Sequence, residues 1–363
     1  MSVRILASAS PGEVRVAAAR GDRLLDYALW RPGRPDGVGD LYRGRVSARV
    51  PAMAGVFVAL EGAEGFLPDS EGGKHLTEGT VLAVCVTRAA QGGKGPRLSA
   101  KLADADRRLG GSGSPALLRR GPGPVERFAA QYPEAPVLVD DAALLAELRP
   151  RLGERIRVAA EPLDDALENA IAELAEPEVI LPNGARLAIH PTPALVAIDV
   201  DAGAAIAEQR GKAERHFAVN RAMLPDLAAQ IRLRNLSGAI LMDFAGLHVR
   251  QRGRLGPDLE AALAADPLRP RLLGFTALGL AEIVRPRVHP PLHELLVGPH
   301  ATGLAALRAV ARRAAAEPAW LPELRATPSV VRALQDDPVA LEDLRRRTGR
   351  AVQLHADPGL TGR

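Results

Sequence analysis

Residues 195–203 read LVAIDVDAG, and residues 239–247 read AILMDFAGL. Each is an apolar run that ends in acid, Asp199 and Asp201 in the first and Asp243 in the second. Between them lies a helical pattern over roughly 212–234, with Pro225 placed to kink it or split it in two. Two short apolar strands flanking one long helix predict a βαβ unit with its strands parallel and close. Side chains two apart on a strand share a face, so Asp199 and Asp201 project together. A crossover helix then brings Asp243 out at the same sheet edge. Crevices outside the carboxyl ends of strands are where α/β sheets place ligands. Carboxylates converging there repel one another unless a cation neutralises them. Mg²⁺ suits such a site, since it takes one or two carboxylates and keeps waters or phosphate oxygens in its other positions. The plainer alternative is that these aspartates only cap turns.

Basic residues, nearly all arginine, crowd the same region: Arg210, Lys212 and Arg215 follow the first pair, then Arg221, Arg232 and Arg234, then Arg250, Arg252 and Arg254. A carboxylate cluster rimmed by arginine matches a metal-dependent enzyme acting on a polyanion. Some of these arginines are equally explained as the solvated face of a helix. The whole chain leans the same way. Its 47 Lys+Arg include lysine only at Lys74, Lys94, Lys101 and Lys212, so its cationic side chains are mostly the residue that grips phosphate bidentately. A GC-rich gene would raise arginine and alanine together to the same effect. The formal net charge of +4 decides nothing.

At 363 residues the chain has room for two or three domains, with cores built from Ala, Val, Leu and Ile because aromatics are 3%. Residues 3–30 predict a strand hairpin and 31–39 a Pro/Gly loop. Several short strands between about 40 and 101, separated by Gly turns, predict a five-stranded barrel of the OB type. RRLGGSGSP (107–115) reads as a linker. Alternating strands and helices follow, and the tail from 301 combines a basic amphipathic helix, a second helix and a strand. The single cysteine, Cys85, excludes an internal disulfide and any cysteine-based zinc site. With neither a signal-type segment nor a long apolar run, a cytoplasmic protein without a membrane segment is expected.

The stretches PTPALVAIDVDAG, FAVNRAMLPDLAAQIRLRNLSGAILMDFAGL and LGFTALGLAEIVRPRVHPPLHELL, in that order and spacing, resemble the catalytic region of the ribonuclease E/G family. In weaker form the resemblance extends across most of the chain. It implies a mixed α/β and β fold: an RNase H-like subdomain in two segments (1–35 and 119–177), interrupted by an OB-type RNA-binding barrel at 36–104. A linker at 105–118, a DNase I-like catalytic subdomain at 178–300 and a small C-terminal α+β domain at 301–363 complete it. It implies a Mg²⁺-dependent endoribonuclease that cuts single-stranded RNA, an mRNA or rRNA precursor, to leave 5′-phosphate and 3′-hydroxyl ends; Mn²⁺ is an alternative ion. By resemblance Asp199 and Asp243 hold the ion. The family's catalytic asparagine falls on Asp201, where an amide donor is replaced by a group that only accepts or ligates. DLYRGRV and AGVFVALEGAEGFLP resemble the family's barrel, which places Phe57 and Phe66 at base-stacking positions and Lys94 on the basic loop. Read without that resemblance, two barrel phenylalanines are as simply core. Arg232, Arg234, Arg250, Arg285 and Arg287 complete the expected RNA contacts.

Two pieces of the family pattern are missing. Little stands between barrel and α/β region where the 5′-end sensor belongs, and no cysteine follows Cys85 to build the family's zinc-linked dimer. No zinc is therefore expected, and a monomer or weak homodimer is. PDSEGGKH lacks the P-loop pattern, and the prolines of HPPLH keep His289 and His293 off a shared helix face. His248 reads as an RNA contact or surface residue. Two other readings stay open: an RNA-binding factor associated with rRNA or ribosomes whose site Asp201 has weakened, and a nuclease acting on DNA.

Overall fold

Val3–Ser10 (β1), Glu13–Arg20 (β2) and Arg23–Trp30 (β3) form an antiparallel meander rather than a single hairpin, turning at Gly12 and Gly21, whose φ of 74° and 59° suit glycine. The computed structural model describes residues 2–201, 212–244 and 246–360. They form two compact units: one of residues 1–34, 124–286 and 291–363, the other of residues 35–123 and 287–290.

The second unit is built from Leu41–Val50 (β4), Gly55–Leu60 (β5), Ala63–Pro68 (β6), Val81–Arg88 (β7) and Arg97–Ser99 (β8), then a short helix, Asp104–Leu109 (α1), and Ala116–Arg119 (β9). The strands run β5-β6-β8-β7-β4, and a further β5–β4 pairing closes a five-stranded barrel of the OB type. A bulge between Val46 and Ala48 bends β4 so that it pairs with β5 and β7. Val46, Val56, Val58, Leu67, Val84 and Leu98 fill the interior. The stretch expected as a linker belongs to this unit: α1 lies there, and β9 hydrogen-bonds to β4 as a sixth strand of the sheet.

In the first unit the chain continues as Pro124–Gln131 (α2), Val137–Val139 (β10), Ala142–Leu152 (α3), Ile156–Val158 (β11) and Asp165–Glu173 (α4). The sheet order is β11-β10-β1-β2-β3, with β10 parallel to β1. Separate apolar clusters cover its two faces, which is why β2 is buried from Glu13 to Ala19 and is rich in alanine.

Next come Glu178–Ile180 (β12), Arg186–Pro191 (β13), Val196–Asp201 (β14), Lys212–Leu233 (α5), Gly238–Asp243 (β15), Val249–Leu263 (α6), Arg271–Phe275 (β16) and Ala281–Arg285 (β17). They make a six-stranded sheet, β12-β13-β14-β15-β17-β16, in which β14 and β15 are parallel and joined through α5. The expected βαβ unit is present. α5 runs unbroken through Pro225, which lies on the solvent side, where water can satisfy the carbonyl that proline leaves free. Leu224, Leu227 and Ile231 of α5 and Leu255, Leu259 and Leu263 of α6 pack on one face of the sheet. Burial therefore alternates along β14: Val196, Ile198 and Val200 are inside, while Asp199 and Asp201 are exposed. The same alternation leaves Asp243 exposed beside buried Met242.

The chain continues through Leu292–Leu296 (α7), Gly298–Ala316 (α8), Glu323–Ala326 (β18), Pro328–Gln335 (α9), Pro338–Thr348 (α10) and Gln353–Ala356 (β19), with β18 and β19 paired in parallel. Leu304, Leu307, Leu334 and Leu344 form the centre of their own small core.

Candidate active site

Asp199 and Asp243 are register partners across the parallel β14–β15 pair. Register partners on neighbouring parallel strands point to the same face, with backbones about 4.8 Å apart. Both are exposed, and neither side chain has a hydrogen bond or ion pair among the described residues. Apolar packing below forces this arrangement: shifting either strand by one residue would bury its aspartate among Phe217, Met223 and Leu224. The two acids are therefore side chains of the open sheet face rather than turn caps.

Asp201 shares that face but is engaged sideways. Arg186, its register partner on β13, lies 3.3 Å from Asp201 Oδ2, with both side chains about half exposed. Glu282 of β17 is the register partner of Leu241, so it stands on the same face one row below Asp243. Neither Arg186 nor Glu282 is suggested by the sequence pattern, because strand order alone makes them neighbours.

The donor set suits a hard divalent cation held at two points. Two carboxylates on one face, without an ion pair among the described residues, offer two oxygen ligands and would leave the remaining octahedral positions to water and substrate. No group of three or more His, Cys, Asp or Glu side chains among the described residues is placed to hold a metal ion without such help.

Three of the arginines expected to touch RNA are structural. Arg285 is 3% exposed, donating to Asp266 Oδ2 (2.7 Å), Asn235 Oδ1 (2.6 Å) and the Leu236 carbonyl (3.1 Å). Arg234, also buried, donates to the carbonyls of Glu173 and Leu174 at 3.0 Å, closing the end of α4. Arg232 packs against the first sheet, bonding the Leu25 carbonyl (2.8 Å) and pairing with Asp26 (3.0 Å). Each satisfies internal acceptors and is unavailable to a phosphate backbone. Arg221 and Arg254 lie on helix surfaces with Asp258 and Glu214, as a solvated face requires. Arg250 is exposed in the first turn of α6, which His248 caps. Arg210 and the side chains of Lys212 and Arg215 lie outside the described residues.

On the barrel, Phe57 and Phe66 are register partners with ring centroids 5.6 Å apart, edge to face, and both are half-buried on its outer surface. The ring of Phe66 lies over Gly55; a Cβ there would come within 2.5 Å of it. Lys94 is exposed at a two-glycine turn, Gly92–Gly93, that leads into β8. The register partner of Phe66 on β8 is Arg97. Arg287 is exposed in the segment that joins this unit.

These features define a mixed α/β protein with an aligned carboxylate pair at the ends of parallel strands and an OB-type barrel in the same chain. A model of the ribonuclease E/G family matches residues 137–288, the span that holds both aspartates. Over this segment the chain is similar to that family. Ribonuclease G of Escherichia coli (strain K12) is 25% identical over 402 aligned positions, covering 82% of each chain. Ribonuclease G of Haemophilus influenzae is 32% identical over 155 residues, 41% of this chain and 31% of that one. Ribonuclease E of a Nostoc species is 35% identical over 127 residues, 35% of this chain and 18% of the relative.

Proposed function

We propose that this protein is a metal-dependent endoribonuclease that hydrolyses phosphodiester bonds of single-stranded RNA in RNA processing or decay. The observation that carries this reading is the register pairing of Asp199 with Asp243 on one exposed sheet face, where neither has an ion pair among the described residues. Its relatives, named ribonuclease G and ribonuclease E, point the same way.

In this reading Asp199 and Asp243 hold one Mg²⁺, or Mn²⁺, each through a carboxylate oxygen. A bound ion would supply an activated water and positive charge at the phosphorus, chemistry that would leave 5′-phosphate and 3′-hydroxyl ends. Asp201 accepts hydrogen bonds beside the pair and is kept in place by Arg186. Arg250, exposed seven residues after Asp243, is available to an RNA phosphate. Phe57 and Phe66, half-buried on the outer surface of the barrel, are the rings on which bases would stack, with Lys94 exposed on the turn before β8 as a cation. No helix among the described residues is long and apolar enough to cross a membrane, which fits a soluble RNA partner.

The test is cleavage of a labelled single-stranded RNA by the purified full chain. Shorter fragments bearing 5′-phosphates are expected with Mg²⁺ and none with chelator. Asp199→Asn and Asp243→Asn should each abolish cleavage while leaving RNA affinity within about twofold, since neutralising one acid removes a ligand without altering the barrel. Full cleavage by either variant rejects the assignment. Tight binding without cleavage by the wild type would make the protein an RNA-binding factor instead.

A further inference from the structure

The barrel carries a charged cluster that the phenylalanines and Lys94 leave unexplained. Arg88 and Arg97 are register partners on β7 and β8, and Arg97 is also the register partner of Phe66 on β6. A third guanidinium comes from far along the chain. Segment 287–290 is stitched to the loop after β7, with the Ala89 amide donating to the Val288 carbonyl and Gln91 Nε2 to the His289 carbonyl, both at 2.9 Å. That stitching brings in Arg287. Burial, and then the charges of Arg97 and Arg287, draw the Arg88 guanidinium below its ordinary value, so both lie close enough to act on Arg88.

None of the three side chains has an ion pair or hydrogen bond among the described residues. Several other arginines of the same unit are satisfied: Arg49 by Asp69, Arg119 by Asp106, Arg120 by Asp40, and Arg43 by the Gly110 carbonyl. Three like charges drawn together with two of them half-buried cost stability, and only an anion among them offsets that cost. Guanidinium forks match the oxygens of phosphate in pairs, and the cluster begins one strand away from a ring that is placed to stack a base.

We propose that Arg88, Arg97 and Arg287 form a phosphate-binding site that holds one phosphate group of a single-stranded RNA beside the base resting on Phe66. The site rests on the reading of the chain as acting on RNA and adds a fixed point at which the strand is gripped. Arg88 and Arg97 are nine residues apart and Arg287 is remote from both, so spacing along the chain does not reveal the cluster.

The experiment measures affinity of the intact chain for a 3′-labelled decauridylate across a salt series, in chelator so that cleavage plays no part. Arg88→Gln, Arg97→Gln and Arg287→Gln should each weaken binding about tenfold and lower the slope of log affinity against log salt by about 0.7, the value for one phosphate on a single strand. Because one anion is shared, the triple variant should lose little more than any single one. Melting temperatures should hold or rise, as repulsion is relieved; Arg287, exposed in a loop, can be replaced without threat to the fold. Equal losses with 5′-hydroxyl and 5′-phosphate probes assign an internal diester, and a loss confined to the 5′-phosphate probe assigns the terminal group. Unchanged affinity in Arg287→Gln and Arg97→Gln overturns the site. So do losses that multiply, with the slope falling at each step, because they describe a diffuse positive surface. Absence of cleavage in Mg²⁺ counts against the catalytic reading alone, since this measurement reads only binding.

Discussion

Arg186 and Asp201 face each other as register partners on antiparallel strands, and their charged groups lie 3.3 Å apart at the edge of the open sheet face. The pair explains how an acid can stand two residues from Asp199 without adding a third free negative charge. Because both side chains are about half exposed, the pair contributes on the order of 0–1 kcal/mol to stability. Asp201→Asn is therefore expected to lower the unfolding free energy from urea titration by no more than that amount and to retain cleavage. A loss of cleavage as deep as that of Asp243→Asn, measured side by side, would instead make Asp201 a metal ligand.

Arg285 has the opposite energetics. Its guanidinium and the Asp266 carboxylate are both nearly sealed from solvent, and Asn235 and the Leu236 carbonyl take its remaining donors. Arg285→Met leaves Asp266 buried without its cation, which costs about 3–5 kcal/mol. Urea unfolding should show this loss, while the salt dependence of RNA binding at a temperature where the variant is folded should match wild type. A reduced salt slope with unchanged stability would return Arg285 to the RNA-contacting set.

The contrast between these two arginines marks what the sequence discloses. Asp199 and Asp243 are legible because every link to their pairing is local: an apolar run, period-two burial, one crossover helix. The fates of Arg232, Arg234 and Arg285 depend on acceptors supplied by other elements, such as Leu25 and Asp26, or the end of α4, which no pattern within a window exposes. β9 escapes notice for the same reason. Its four residues gain their hydrogen bonds from β4, more than sixty residues earlier, and its Gly/Ser flank reads as a break. The barrel itself is legible because its short strands are separated by glycine turns, whereas the Arg88–Arg97–Arg287 cluster exists only once those strands have paired.

Asp26 gives a pH dependence that differs from that of an ordinary surface carboxylate. Burial raises its pKa, and Arg232, Tyr132 and Gln131, which favour the ionised form, offset this only in part. The folded state thus holds the proton to a higher pH than the unfolded chain does. This group's contribution is full below about pH 4 and is lost as pH rises through the raised folded value. In Asp26→Asn the titrating group is gone, while Arg232 keeps the Leu25 carbonyl. The difference in urea midpoint between wild type and variant should move in the variant's favour as pH climbs from about 4 toward neutrality. A difference that moves the other way would mean that the ion pair with Arg232 outweighs burial.

Phe57 and Phe66 pose the last question, whether half-buried rings on the barrel surface serve the fold or the ligand. The rings meet edge to face at 5.6 Å, a contact worth about 0.5–1.5 kcal/mol, and the barrel interior is filled without them by Val56, Val58, Leu67 and Leu98. Phe57→Ala should therefore cost no more than about that amount in stability. A base stacked on the ring is worth about 1–3 kcal/mol, so affinity for a single-stranded RNA should fall roughly fivefold to over a hundredfold. Phe57→Tyr or Phe57→Trp, which keep an aromatic face, should bind nearly as well as wild type. Melting curves and anisotropy titrations on the same preparations separate the outcomes. If Phe57→Ala melts far below wild type and binds RNA equally well, the ring belongs to the core and the stacking assignment falls.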